Sequence, residues 1–194
     1  SQNGLHPADP FNTFDWIMDL SEKCCLLSSF YFICGRSGRF DAEYEVEHPA
    51  IRNLLRHIHA RGHEIGLHPS YDCFHNPAKL RGEADRLWNV CAKEGIHQSE
   101  YGGRMHYLRW SQPETLRAWD NAGLTYDSTL GYADQAGFRC GTCFEYPGFD
   151  VLANEQLAVR VRPLVAMEAS VLGATYMAIK DPYQATDVFL SLKI

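Results

Sequence analysis

A glycine that closes one amphipathic helix, followed at once by a short apolar run ending in histidine, limits this chain more than any other stretch: Gly62-His63-Glu64-Ile65-Gly66-Leu67-His68. The helix before it starts at Pro49 and carries Ile51, Leu54, Leu55 and Ile58 on one stripe, and Gly62 stands where a left-handed C-terminal residue is wanted. His63 to Leu67 then reads as a buried parallel strand. A helix feeding directly into such a strand is the unit of a parallel α/β sheet. The residue at its C-terminal end, His68, falls on the edge where these sheets bind ligands.

The same unit recurs along the chain. Thr13 to Lys23 has helical spacing of Phe14, Ile17, Met18 and Leu20, with Asn12 or Thr13 as the cap, and Ser28 to Ile33 reads as a strand. Asn76-Pro77 opens a helix that turns Leu80, Ala84, Leu87, Trp88 and Cys91 inward and closes at Gly95. A short strand near Ser99 to Gly103 leads to Arg104, Pro113 starts a helix ending near Gly123, and Leu124 to Ser128 is the next strand. A long Gly- and aromatic-rich loop follows, then one or two strands over Leu157 to Met167 and a last helix over Pro182 to Leu192. With right-handed crossovers this predicts a largely parallel sheet, and periodicity alone leaves a doubly wound sheet and a barrel both open.

At 194 residues and 45% hydrophobic, residues 1–194 fit a single domain with one core. Eighteen Lys and Arg against 24 Asp and Glu, a net charge of -6 and no basic run argue against a nucleic-acid partner. No apolar stretch approaches the roughly 20 residues of a membrane span, and no basic-then-apolar leader is present. The seven cysteines are odd in number and fall partly in apolar runs, which predicts free structural thiols and a cytoplasmic setting. Cys140-Gly141-Thr142-Cys143 has redox or zinc spacing but no second such pair.

Two segments carry chemistry: Gly62 to Asp72, and Arg104-Met105-His106-Tyr107. In this order they resemble the second and third motifs of the polysaccharide deacetylase (NodB-homology) family of carbohydrate esterases, over a stretch from about Asn12 to Leu172. The resemblance implies an α/β fold, a distorted and partly open (β/α) barrel. It also implies a divalent metal, zinc first with cobalt or nickel as alternatives, and an acetylated oligo- or polysaccharide substrate. Family members hold the metal with an early aspartate and an H-x-x-x-H pair. His68 takes the first histidine position and Asp72 the second, so the sequence departs from the pattern there. A carboxylate can ligate zinc, and His75 or His106 are the alternative donors.

Arg104 to Tyr107 matches R-x-P-Y except at His106. By resemblance, Arg104 orients a catalytic aspartate and the Tyr107 N–H stabilises the oxyanion, roles that suit a permanently charged fork and a preorganised donor. Tyr126-Asp127-Ser128-Thr129 resembles the Y-D-S segment of a bacterial, exopolysaccharide-associated subgroup, which makes Asp127 a candidate site carboxylate with turn capping as the competing role. Trp110 and Tyr132 are candidates for stacking on a sugar. Strand alternation sends His63 away from His68, and His48, His57 and His59 read as solvated helix residues.

The family's Asp-bearing first motif and its last motif, which carries the proton donor, have no counterpart in the sequence. The expectation is therefore an incomplete deacetylase domain, with little activity of its own. Two further readings stand beside a metal-dependent N- or O-deacetylase: a non-catalytic carbohydrate-binding relative, and an amidohydrolase acting on a small C–N substrate.

Overall fold

The computed structural model describes residues 3–35 and 38–192. Helices α1 (Phe14–Lys23), α2 (Pro49–Ala60), α3 (Pro77–Lys93) and α4 (Glu114–Asn121) alternate with strands β1 (Ser29–Phe32), β2 (Glu64–Leu67), β3 (Gly102–Gly103) and β4 (Tyr126–Asp127). They are followed by the hairpin β5 (Tyr146–Asp150) and β6 (Glu155–Val161), and by α5 (Glu168–Leu172) and α6 (Pro182–Ser191). The strand order is β1-β2-β3-β4-β6-β5. All neighbours are parallel except β5, which pairs antiparallel with β6. The sheet is not closed by hydrogen bonds among the described residues, where β1 and β5 form its edges.

Local chemistry accounts for the helix boundaries. Asn76 accepts from the Lys79 N–H at 3.0 Å and Pro77 occupies the first turn of α3, while Gly62, Gly95 and Gly123 take positive φ just beyond α2, α3 and α4. Thr13 precedes α1 without a side-chain cap, and His48, exposed as read, also caps α2 by accepting from the Ala50 N–H at 3.2 Å. The strands near Gly103 and Ser128 shrink to two residues each, Gly102–Gly103 and Tyr126–Asp127, losing mainly their N-terminal residues. The loop expected before β6 contains β5, which Pro147, Gly148 and a register shift disguise as non-strand.

Four successive parallel strands lying side by side in chain order, joined by right-handed crossovers, place α2, α3 and α4 on one face of the sheet. That face holds the core, built from Phe32, Ile65, Leu67, Val159 and Val161 against Leu54, Leu55, Ile58, Leu87 and the fully buried Trp119. The opposite face is polar. Register places Tyr31, Gly66, Gly102 and Tyr126 in one row across it, and a Cβ on Gly66 or Gly102 would lie 2.7 Å from the Tyr31 ring or 2.4 Å from the Tyr126 ring. The two glycines let tyrosine rings lie flat on the sheet. Around them, Tyr126 Oη donates to Glu64 at 3.2 Å and Ser128 Oγ donates to Gly103 O at 2.7 Å. The Arg162 guanidinium sits 3.6 Å from the centre of the Tyr126 ring. His68, Arg104 and Ser128 follow at the C-terminal ends of β2, β3 and β4.

Candidate active site

The His68 imidazole is fixed at both nitrogens. Nδ1 lies 2.6 Å from Arg104 O, and Nε2 lies 2.8 Å from Nδ1 of His106. His106 in turn places Nε2 2.8 Å from Phe40 O and 4.0 Å from Asp41 Oδ1. Carbonyl oxygens only accept, so both outer nitrogens carry hydrogen. The inner contact is a hydrogen bond only if one further proton lies between the rings, so the pair is satisfied with a single shared proton and one positive charge. Burial, and then the neighbouring His106, push the His68 pKa down to about 4, which leaves His68 neutral at neutral pH.

Arg104 stands beside this pair. Its Nε donates to Ser128 O at 3.0 Å and its guanidinium lies 5.6 Å from the Tyr31 ring centre. Its backbone thus orients His68 while its side chain joins β3 to the end of β4. Tyr107 lies in the short turn His106–Leu108, 62% exposed, with φ of 58°. The N–H groups of Leu108 and Arg109 close that turn on Met105 and His106.

The other expected residues lie apart from the histidine pair. Asp72 is on the 3₁₀ turn Tyr71–His75 with its side chain 58% exposed, and its ion-pair partner is Arg109 at 3.8 Å. Asp127 shares a register row with Leu67, Gly103 and Val161, and alternation places it on the helix-covered face. It is fully buried: Oδ2 accepts from Trp110 Nε1 at 3.0 Å, and Oδ1 accepts from the Thr129 N–H at 3.0 Å and from the Thr129 hydroxyl. Burial outweighs these bonds and raises its pKa to about 6. Trp110 therefore holds Asp127, while Tyr132 is 37% exposed. His63 is buried before β2, accepting from the Ser28 N–H at 3.1 Å, as alternation requires. Phe40, Asp41 and Tyr71 were not legible as site residues. Phe40 and Asp41 follow β1 in a stretch without periodicity, and only the fold brings them to His106.

As a metal centre the donors do not fit. Two imidazoles on one tetrahedral zinc, with Zn–N near 2.0–2.1 Å, hold their nitrogens about 3.3 Å apart. The His68 and His106 nitrogens are 2.8 Å apart and share a proton, and Asp72 faces Arg109 instead. Among the described residues no cluster of three or more His, Cys, Asp or Glu side chains is arranged to hold a metal ion. What the arrangement offers is a proton held between two rings at the ligand edge of a parallel sheet.

No protein-family profile and no curated protein matches this sequence. Among solved structures, the fold is similar to that of a "putative polysaccharide deacetylase from Mycobacterium smegmatis", with a TM-score of 0.58 and 16% sequence identity. The match covers 94% of this chain and 58% of that one, so this chain spans little more than half the length of its structural relative. At that identity the two share a mixed α/β fold.

Proposed function

We propose that this chain is the deacetylase-like portion of a hydrolase that removes acetyl groups from an N- or O-acetylated carbohydrate, on a distorted, partly open barrel. The observation that carries the reading is the His68–His106 pair, held by Arg104 O and Phe40 O at the ends of β2 and β3 of a fold shared with a deacetylase structure. In this reading His106 delivers the shared proton to the leaving amine or alkoxide, and His68 takes it back from water. Arg104 sets the ring of His68, and the Tyr107 N–H is the oxyanion donor. Asp127 supports the loop through Trp110 and Thr129. Dependence on a divalent metal rests on the resemblance of the motifs. The described residues offer a metal two imidazoles and no third donor, so no step is assigned to it.

A second reading, a carbohydrate-binding relative without catalysis, is favoured by one specific observation: Asp72 lies against Arg109 and not against His68. Acetate release from N-acetylated chitotetraose and from an O-acetylated xylan, with and without added zinc, separates the two. Release that is lost in His68→Ala and His106→Ala supports the hydrolase. Glycan binding without release in any metal condition overturns it in favour of the binding relative. The free state of all seven cysteines is in keeping with the cytoplasmic setting proposed here, and among the described residues no helix is long and apolar enough to cross a membrane.

A further inference from the structure

Behind the histidine pair, one acid stands where packing calls for an apolar side chain. Helix α3 buries Leu80, Glu83, Ala84, Leu87, Val90 and Cys91, and Glu83 is only 5% exposed. A carboxylate taken out of water is destabilising unless its oxygens are hydrogen-bonded. Glu83 Oε2 accepts from the Ser70 N–H at 2.9 Å, and Oε1 accepts from the Cys73 thiol at 3.1 Å. Burial, and then this carboxylate, push the Cys73 pKa up, so the thiol keeps the hydrogen that it donates. Both donors belong to the loop that follows His68.

The same loop leads to the other histidine. The next N–H, that of Tyr71, donates to Asp41 at 2.8 Å, and the neighbouring Phe40 carbonyl holds His106 Nε2. At the end of β1, Gly35 runs so close that a Cβ there would collide with Glu83 Oε1 and Ser70 Oγ. Three residues on from Glu83, and so beside it on the helix, Arg86 donates to Cys34 O at 2.7 Å. Helix α3 thus grips the ends of both β1 and β2. Ser70 is fully buried and its hydroxyl has no hydrogen-bond partner among the described residues, so its N–H is what anchors it to α3. Pro69 alone separates it from His68, and the fixed φ of proline passes a shift of Ser70 on to the strand end.

We infer that Glu83 is a positioning residue for the histidine pair: through the Ser70 N–H it fixes the strand end that presents His68 and the loop that sets His106. Its bonds reach a backbone N–H and a thiol rather than either ring. The inference deepens the hydrolase reading above and rests on it for the catalytic consequence alone.

The test is nitrogen-15 NMR of histidine-labelled protein near neutral pH, which reads which ring nitrogen of His68 carries hydrogen. Nδ1 donates to Arg104 O, so the wild type should show the Nδ1–H tautomer, whereas a neutral histidine ring free in water favours Nε2–H. Glu83→Gln keeps an acceptor for Ser70, and Glu83→Met keeps the volume without the acceptor. Ser70→Pro removes the N–H at a φ of -55°, which proline accepts. Glu83→Met and Ser70→Pro, folded by circular dichroism, should lose the Nδ1–H signature of His68. Acetate release from N-acetylated chitotetraose or O-acetylated xylan should fall about tenfold or more in kcat with KM within about twofold. Glu83→Gln should keep both. Where Glu83→Met does not fold, Ser70→Pro decides. The Nδ1–H signature retained in both, or absent from the wild type, overturns the inference. A wild type that releases no acetate while the variants lose the signature removes the hydrolase and leaves Glu83 in its role. Acetate release unchanged in Glu83→Met with the signature retained does the reverse.

Discussion

The two faces of the central sheet are made from the same strands and obey different chemistry. On the helix side, Ile65, Leu67, Val159 and Val161 meet the stripes of α2, α3 and α4 in a dry core, and the carboxylate in the row of Leu67 and Val161, Asp127, is fully buried and enclosed by hydrogen bonds. On the other side, Tyr31, Glu64, Tyr126, Ser128 and Arg162 form a hydrogen-bonded and ion-paired floor that ends at His68 and Arg104. Alternation within a strand separates the two environments by one residue. Stability belongs to the first face and chemistry to the second.

The largest expected effect that would break this comparison is on the helix side. Trp119 is the largest fully buried side chain among the described residues, so Trp119→Ala should cost about 4 kcal/mol in urea unfolding. A cost below about 1 kcal/mol would mean that the core is elsewhere.

The next effect sets the faces against each other through pH. Asp127 has a raised folded pKa, so the native state binds more protons than the unfolded chain between about 3.8 and 6. Its contribution is present at low pH and is lost as pH rises through that window, a change of about 3 kcal/mol. His68 has a lowered folded pKa, so the native state binds fewer protons between about 4 and 6.5, and its contribution grows with rising pH by a similar amount. In the wild type the two slopes oppose each other. Asp127→Asn should uncover stability that rises from pH 4 to 6.5, and His68→Gln stability that falls; equal slopes in both variants would sink the assignment.

Smaller effects sharpen the polar face. Tyr31→Phe removes hydroxyl contacts of 3.3 Å to Tyr126 and Ser128 while keeping the ring over Gly66, and should cost about 1 kcal/mol. Asp72→Ala should change stability by less than about 0.5 kcal/mol, because its contact with Arg109 is exposed and long. A loss above about 1.5 kcal/mol in thermal unfolding would show Asp72 bound into the site.

The helix-side face is the part that sequence reasoning reaches. The stripes of α2 and α3, the Asn76 cap and the glycines after each helix are local signals, and they recur at the expected places. The polar face resists the same reading because its partners are far apart in the chain. Glu64 bonds to Ser29 and Tyr126, 35 and 62 residues away, and no periodicity links them. His68 and Arg104 stood out because they end strands. His106 was read as an alternative metal donor, and its bond to His68 depends on how the loop after β3 turns back. Asp127 was open between a site carboxylate and a turn cap, and it does bond the Thr129 N–H two residues on, while a single step of alternation decides which face it serves.

The strand order has a consequence for how the chain assembles. Each of β2, β3 and β4 lies beside the strand that precedes it in sequence, and paired residues such as Ser29 and Glu64 are separated by a single helical crossover. No strand must wait for a distant segment to open a gap in the sheet. Contacts then accumulate in the direction of synthesis, each βα unit docking on a neighbour already in place, with closure of long loops kept to one crossover at a time. The β5–β6 hairpin adds its two strands through a short local turn at the far edge. A chain of this topology grows its sheet as a queue, and the polar floor becomes continuous only when β6 brings Arg162 to Tyr126 and Glu64.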